Sequence, residues 1–241
     1  MDQADLEALE RATIEAVAPP EVLEIGGWLV GLDKGTIGRA KSAVPLRHDL
    51  GFEALDEIEA AYRQRGLKPA FRVADCPGLE AVRVELDRRG YPMAQPTIFE
   101  TGLVRDLATF SEGSAAILDR PSAAWAAVFL GEGFDPADGA HRVAALSRSP
   151  DAVYGAAGEG DEVGAVGVMT FGYGWAGIHG MRTSPAHRGK GFASSILATL
   201  GRMAQARGVE RVFLQVEEAN PARSIYHRAG FSAAWRYHYW R

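Results

Sequence analysis

The chain predicts an α/β fold, shading into α+β, in which two similar halves follow one another. Strand-like apolar runs alternate with amphipathic segments of helical period along the whole length. An ordered series of residue matches recurs at an offset of 140 positions. The composition, 47% hydrophobic and 24% charged over 241 residues, is that of a globular chain whose core needs no staples.

The elements follow in order. Residues 3–17 place Leu6, Leu9, Ile14 and Val17 near helical spacing, and Pro19 and Pro20 stop that helix. Segments 21–31 and 35–46 read as strands around a turn at Asp33 to Gly35. A helix over 52–65 ends at Gly66, and a strand at 71–73, a helix at 78–89 and a strand near 95–103 come next. The segment Ser111 to Ser114 reads as a boundary, dividing the chain into 1–112 and 113–241. Beyond it the pattern predicts helices at 122–132 and 136–147 and strands at 152–157, 162–171 and 175–183. A helix over 190–206, a strand at 211–217, a helix at 221–229 and a strand at 231–240 complete the chain.

Charge and composition exclude several classes. Acids exceed bases by 31 to 26, a net −5, so no nucleic-acid partner is expected, since that needs a basic surface. The surplus is compatible with a cationic small substrate. No run approaches ~18 apolar residues, so no membrane span is expected. The acidic amino-terminal segment lacks the basic start and apolar run of a secretory signal. The single cysteine, Cys76, cannot form an internal disulfide, which points to a cytoplasmic protein. No metal is expected.

The repeat pairs Pro45, Gly51 and Phe52 with Pro185, Gly191 and Phe192, and Gly90-Tyr91 with Gly230-Phe231. Between them, 64–73 matches 206–216 after a gap of two. Duplication explains the ordered series; shared helix stops and proline turns are the competing explanation. The copies diverge where an anion would bind. The second has Arg188, Gly189, Lys190 and Gly191 leading into a helix at Phe192, Ala193 and Ser194. A helix N-terminus offers unpaired N–H groups and a partial positive charge, and glycines let a phosphate approach the backbone. The first copy puts Asp49 and Glu53 in the same place, so a single anion site is expected, in the second half.

The stretch TSPAHRGKGFASSIL (183–197) resembles the acyl-CoA-binding motif of the GNAT superfamily of N-acetyltransferases, with Arg188, Gly191 and Ala193 in its core. The stretch LQVEEANPARSIYHRAGF (214–231) is similar to the superfamily's second signature, with Asn220, Tyr226, Gly230 and Phe231 in place. The resemblance covers about 115–241, and the first half resembles a degenerate copy, as in tandem members of the superfamily. It implies a mixed, largely antiparallel twisted sheet with flanking helices. It also implies acetyl-CoA as cosubstrate in a V-shaped cleft between 175–183 and 211–217, its pyrophosphate on Arg188 to Ser194. The pantetheine arm would pair near Met181, Arg182 and Thr183. A primary amine of a small molecule or peptide would attack directly, the Met181 N–H would stabilise the oxyanion, and Tyr226 would protonate the leaving thiolate.

The resemblance also places a glutamate near Gly177, where this chain has none. His179, sharing a strand face with Met181 by the two-residue period, and Glu217 are the candidate bases, and a base acting through water needs neither. Asn220 before Pro221 reads either as a helix cap alone or as a cap that also touches CoA. Trp125 and Phe129, four apart, read as core, with Phe134 just beyond them; Tyr237 or Tyr239 could face the cleft, and segment 39–42 the other half. A monomer is expected, because a fused pair can bury the surface that single-domain relatives use to dimerise. The missing glutamate leaves a second reading open, a non-catalytic acyl-CoA-binding or regulatory module. A Walker or dinucleotide loop is excluded by spacing.

Overall fold

Helix α1 (Gln3–Val17) begins where the Asp2 side chain accepts the Asp5 N–H, and it ends at Ala18, which turns left-handed ahead of the two prolines. The computed structural model describes all residues, 1–241. The run at 21–31 is two strands rather than one. β1 (Glu21–Ile25) and β2 (Trp28–Leu32) are joined by a two-residue turn at Gly26-Gly27, because paired glycines suit the tight hairpin turns that match strand twist. The strand expected over 35–46 shrinks to β3 (Ala43–Pro45), since 38–41 coils into a 3₁₀ turn.

The remaining elements of the first half are α2 (Leu55–Gln64), β4 (Phe71–Ala74), α3 (Glu80–Arg88) and β5 (Met93–Leu103). Two short elements that periodicity does not reveal follow, α4 (Val104–Ala108) and β6 (Ala116–Leu118). Then come α5 (Ala123–Leu130), α6 (Pro136–Leu146), β7 (Ala152–Glu159), β8 (Glu162–Gly172) and β9 (Trp175–Thr183). The chain ends with α7 (Phe192–Ala206), β10 (Arg211–Glu217), α8 (Arg223–Arg228) and β11 (Ser232–Trp240).

All strands join one 11-stranded sheet in the order β1-β2-β3-β4-β11-β5-β10-β9-β8-β7-β6. Only β3/β4 and β9/β10 run parallel, so the sheet is mixed and largely antiparallel. The order is symmetric about its centre. β1 to β4 run inward from one side as β7 to β10 do from the other, and β5 and β11 meet between them. Each half therefore completes its sheet with the other's last strand: β5 pairs with β10, and β11 with β4. Cutting either half away would strip a strand from the other.

Burial follows this plan. One apolar cluster gathers around Trp28, Ile58 and Phe71 beneath α2 and α3, another around Met169, Leu200 and Leu214 beneath α7. On the opposite face α1 lies across the centre, packing Leu9 and Ala12 on Phe99, Trp175 and Phe213. Each large apolar side chain among them contributes roughly 1.5–3 kcal/mol when fully buried. A buried ion pair, Arg72 Nη2 to Glu10 Oε2 at 2.6 Å, ties α1 to β4. Trp125 and Phe129 are core, as their spacing implied, with Trp125 Nε1 donating to the Gly155 carbonyl at 3.1 Å. No helix is long and apolar enough to cross a membrane.

Candidate active site

The parallel ladder between β9 and β10 pairs Ala176 to Ile178 with Val212 to Leu214 and then stops. Past Ile178 and Leu214 the strands diverge, although β9 runs on to Thr183 and β10 to Glu217. That divergence leaves backbone groups of both strands free for a ligand. A cavity of about 290 Å³ opens there, lined by His179, Met181, Glu217, Asn220, Tyr226 and Tyr237, among others.

A β-bulge shapes the β9 side. Val168 lies opposite His179, but Val166 lies opposite Arg182, so β9 carries one extra residue in this stretch. Gly180 sits there with φ +58°, a left-handed conformation natural to glycine. The bulge overturns the expectation that His179 and Met181 share a face. The Met181 side chain packs towards Gly167 and the α7 cluster, while His179 turns to the α1 side against Phe213. The two-residue period fails because the inserted residue flips everything after it.

Gly177 is a close-packed position. A Cβ there would stand 2.5 Å from His179 Nε2 and 2.7 Å from Phe213 Cζ. The imidazole thus occupies the space a longer side chain at 177 would need. His179 is buried, and neither ring nitrogen finds a hydrogen-bond partner within the chain. Burial, assisted by the charge of Arg39, pushes its pKa well below the usual histidine range, so the ring is neutral.

The glycine loop sits at the end of β9. Pro185 to His187 form a 3₁₀ turn, Gly189 and Gly191 both take positive φ (+77° and +83°), and α7 starts at Phe192 without a side-chain cap. Nothing stands within 4 Å of where a Cβ would be at either glycine, so the approach to the first N–H groups of the helix is open. Lys190 pairs with Glu159 at 2.9 Å, an exposed contact that holds it weakly. In the first copy the Glu53 carboxylate folds onto Gly51, and the adjoining cavity is lined by Glu53 and Glu57. Asp49 is tied to Arg47.

On the β10 side, Tyr226 of α8 is buried against the α7 cluster and stacks edge-on to Phe231. Burial, with the neighbouring Glu100 carboxylate, pushes its phenol up to about 12, so it remains protonated. Glu100 is itself buried, its Oε1 meeting Arg223 Nε and His227 Nε2, each at 3.0 Å. Glu217 is exposed and its Oε1 accepts from Gln95 Nε2 at 2.6 Å. Asn220 Oδ1 accepts the Ala222 N–H at 2.9 Å, so it does cap the turn into α8 while lining the cleft.

The first half supplies part of the wall: Gly38 and Arg39 before β3, and Gln95 and Thr97 of β5. Tyr237 and Tyr239 of β11 also line it, and Tyr237 donates to Gln215 Oε1 at 2.8 Å. The repeat offset carries Arg39 onto His179, so the two copies present corresponding residues to one shared cleft. That correspondence was a signal in the sequence; Arg142 of α6, which also lines the wall, carried none. A larger cavity, about 590 Å³, lies across the 33–37 segment and shares only Ile37 with the cleft.

A splayed parallel strand pair, a bulge at its mouth and a glycine loop opening a helix define an acetyltransferase of the GNAT type. The chain belongs to the family described as "Probable histone acetyltransferase Rv0428c C-terminal", which it matches over residues 3–240. It is 25% identical over 244 residues to "Uncharacterized N-acetyltransferase YobR" of Bacillus subtilis, covering 98% of both chains. It is 28% identical over 224 residues to "Probable histone acetyltransferase Rv0428c" of Mycobacterium tuberculosis, covering 89% of this chain and 67% of that one. Among solved structures, a GCN5-related N-acetyltransferase from Kribbella flavida superposes with a TM-score of 0.70 at 18% identity, covering 96% of this chain and 93% of that one. A tandem GNAT protein from the clavulanic acid biosynthesis pathway superposes at 0.62 with 16% identity, covering 98% and 92%. These two likenesses show the fold.

Proposed function

We propose that the protein moves an acetyl group from acetyl-CoA to a primary amine of a small molecule or peptide. The splay of β9 from β10 beside the open glycine loop carries this reading. The loop fits a pyrophosphate: its glycines leave the helix N-terminus uncovered, and Arg188 and Lys190 add positive charge. Acetyl-CoA supplies an acetyl group activated as a thioester. Residues 188–194 hold its phosphates, Met181 to Thr183 offer strand-edge groups to the pantetheine arm, and Asn220 adds a polar contact at the far side of the cleft.

The Met181 N–H, turned at the bulge, is the donor for an oxygen gathering negative charge. Tyr226 keeps its proton until a thiolate can take it. Glu217 is the better proton acceptor of the two candidates: its carboxylate is exposed at the cleft, with Oε2 left free by the Gln95 contact. His179, buried and weakened as a base, instead shapes the floor. The division into 1–112 and 113–241, one anion loop, and a monomer belong to the same reading. A dimer mass by light scattering would overturn the last.

The test is thiol release and mass spectrometry with acetyl-CoA against amines, amino acids, polyamines and lysine-bearing peptides. The peptides are included because one relative is named as a histone acetyltransferase. An acetylated product is expected. Stabilisation by CoA without any product would replace this reading with a non-catalytic acyl-CoA-binding module.

A further inference from the structure

We infer that the acceptor is an amine that also carries an anionic group, a carboxylate or phosphate, held by Arg39 at the floor of the cleft. The inference rests on the acetyl-transfer reading above and specifies its substrate class. Three arginines line the cleft, Arg39, Arg142 and Arg182, coming respectively from the first half, α6 and β9. Arg142 Nε is paired with Asp138 Oδ2 at 2.6 Å, and Arg182 reaches the same carboxylate only at 3.9 Å. The Arg182 guanidinium lies over the Phe134 ring at 4.0 Å, and its Nη1 is buried without a partner.

Arg39 has no carboxylate at all. It is half-buried, and that burial disfavours its charge most, with Arg142 and Arg72 opposing it further and the Tyr237 and Tyr239 hydroxyls offsetting them only in part. Arg72 is already committed to Glu10. The segment is held close over β11, for a Cβ at Gly38 would stand 2.8 Å from Tyr239 Cζ. The backbone that carries Arg39 is thus held against β11.

A cation partly withdrawn from water without a counter-ion is costly, and an anionic ligand would relieve that cost. A guanidinium fork matches a carboxylate or phosphate and holds it bidentately. The neighbouring orphan groups agree: both His179 ring nitrogens and Arg182 Nη1 lack partners at the same wall. The one exposed carboxylate of the cleft, Glu217, stands on β10 and can receive the amine end. The wall is therefore dipolar, cationic at Arg39 and anionic at Glu217, and fits a molecule that is itself a short dipole. The loop at 188–194 lies outside this lining, so CoA phosphates have their own site. Net acidity of the whole chain is compatible with a cationic substrate; at the floor of the cleft the charge nearest the cavity is instead the cation of Arg39.

The test compares matched probes with acetyl-CoA present: alanine against alaninamide, glucosamine 6-phosphate against glucosamine, and putrescine as the purely cationic arm. Turnover is read by thiol release, and binding by thermal shift with each probe alone. The acid of one pair should exceed its neutral counterpart, and which pair responds tells carboxylate from phosphate. In Arg39→Gln the preference should collapse by about 10- to 100-fold, mainly through KM, as expected for losing a hydrogen bond to a charged group. Arg39→Lys should restore part of it. The unliganded variant should melt no lower than the parent, because no internal partner is lost. Equal turnover of acid and amide, preference for putrescine, or an Arg39→Gln preference like the parent's overturns the inference. Failure of every amine to be acetylated, with Arg39-dependent stabilisation by an acid probe, sinks the acetyl-transfer reading and leaves the anion site standing. Neither turnover nor Arg39-dependent stabilisation overturns both.

Discussion

Replacing Gly180 by alanine tests whether the bulge in β9 is what equips the cleft. Two costs can be worked out. The residue sits at φ +58°, where an alanine is strained by roughly 1–2 kcal/mol. Its Cβ would also stand 2.6 Å from Leu146 Cδ1 and 3.4 Å from Phe129 Cζ. Overpacking of that kind costs about 1–3 kcal/mol, towards the lower end here because a leucine methyl can move. The expected loss for Gly180→Ala is therefore about 2–4 kcal/mol. Gly189→Ala is the internal control, since it has φ +77° but nothing within 4 Å of a Cβ. It should lose only the backbone part, about 1–2 kcal/mol. Urea unfolding with linear extrapolation measures both. Turnover should separate them in kind. Shifting the Met181 N–H should lower kcat by at least ~10-fold, since losing one oxyanion donor costs 10²–10³. Gly189→Ala should act chiefly on CoA affinity. Equal stability losses, or full kcat in Gly180→Ala, would show the reasoning about the bulge to be wrong.

Other perturbations follow from the same geometry. Tyr226→Phe should lower kcat by about 100-fold or more with CoA affinity nearly unchanged, as for loss of a positioned acid; unchanged kcat removes Tyr226 from the chemistry. Arg72→Leu should destabilise by about 3–5 kcal/mol by stranding buried Glu10, and Glu10→Leu in the same chain should recover much of it; no recovery would show that packing, not charge, is at stake. His179 gives a pH signature. Its folded pKa is lowered, so its contribution is fully present above the unfolded value of about 6.5 and is lost as pH falls below that, towards the folded pKa. The slope is about 1.4 kcal/mol per pH unit. Burial of His48 adds to the same trend, so the measurement is the difference between parent and His179→Phe in urea midpoints at neutral and mildly acidic pH. Identical pH slopes in the two proteins would refute the assignment.

The residues proposed for the chemistry of the second half stand out in the sequence because they lie in two short runs, 183–197 and 214–231. Within each run, spacing along one strand, turn and helix already sets which groups are neighbours. Helix α1 and strands β9 and β10 match their expected bounds for the same reason: local period, proline and glycine act within a few residues. Where local rules failed at the cleft and at the first hairpin, one or two residues were responsible. Two adjacent glycines split 21–31 into a hairpin, and one extra residue at the bulge reversed the faces of His179 and Met181.

The shared cleft is of another kind. Arg39, Tyr237 and His179 meet because β11 pairs with β4 and β5 with β10, so that each half closes on the other's final strand. The repeat in the sequence announced two similar units, and its 140-residue offset even related Arg39 to His179. No local period records which strand edge pairs with which. That choice falls to whichever arrangement buries the most apolar surface and leaves the fewest unpaired edge groups. Here it brings an unpaired arginine from the first half to the floor of the cleft in the other.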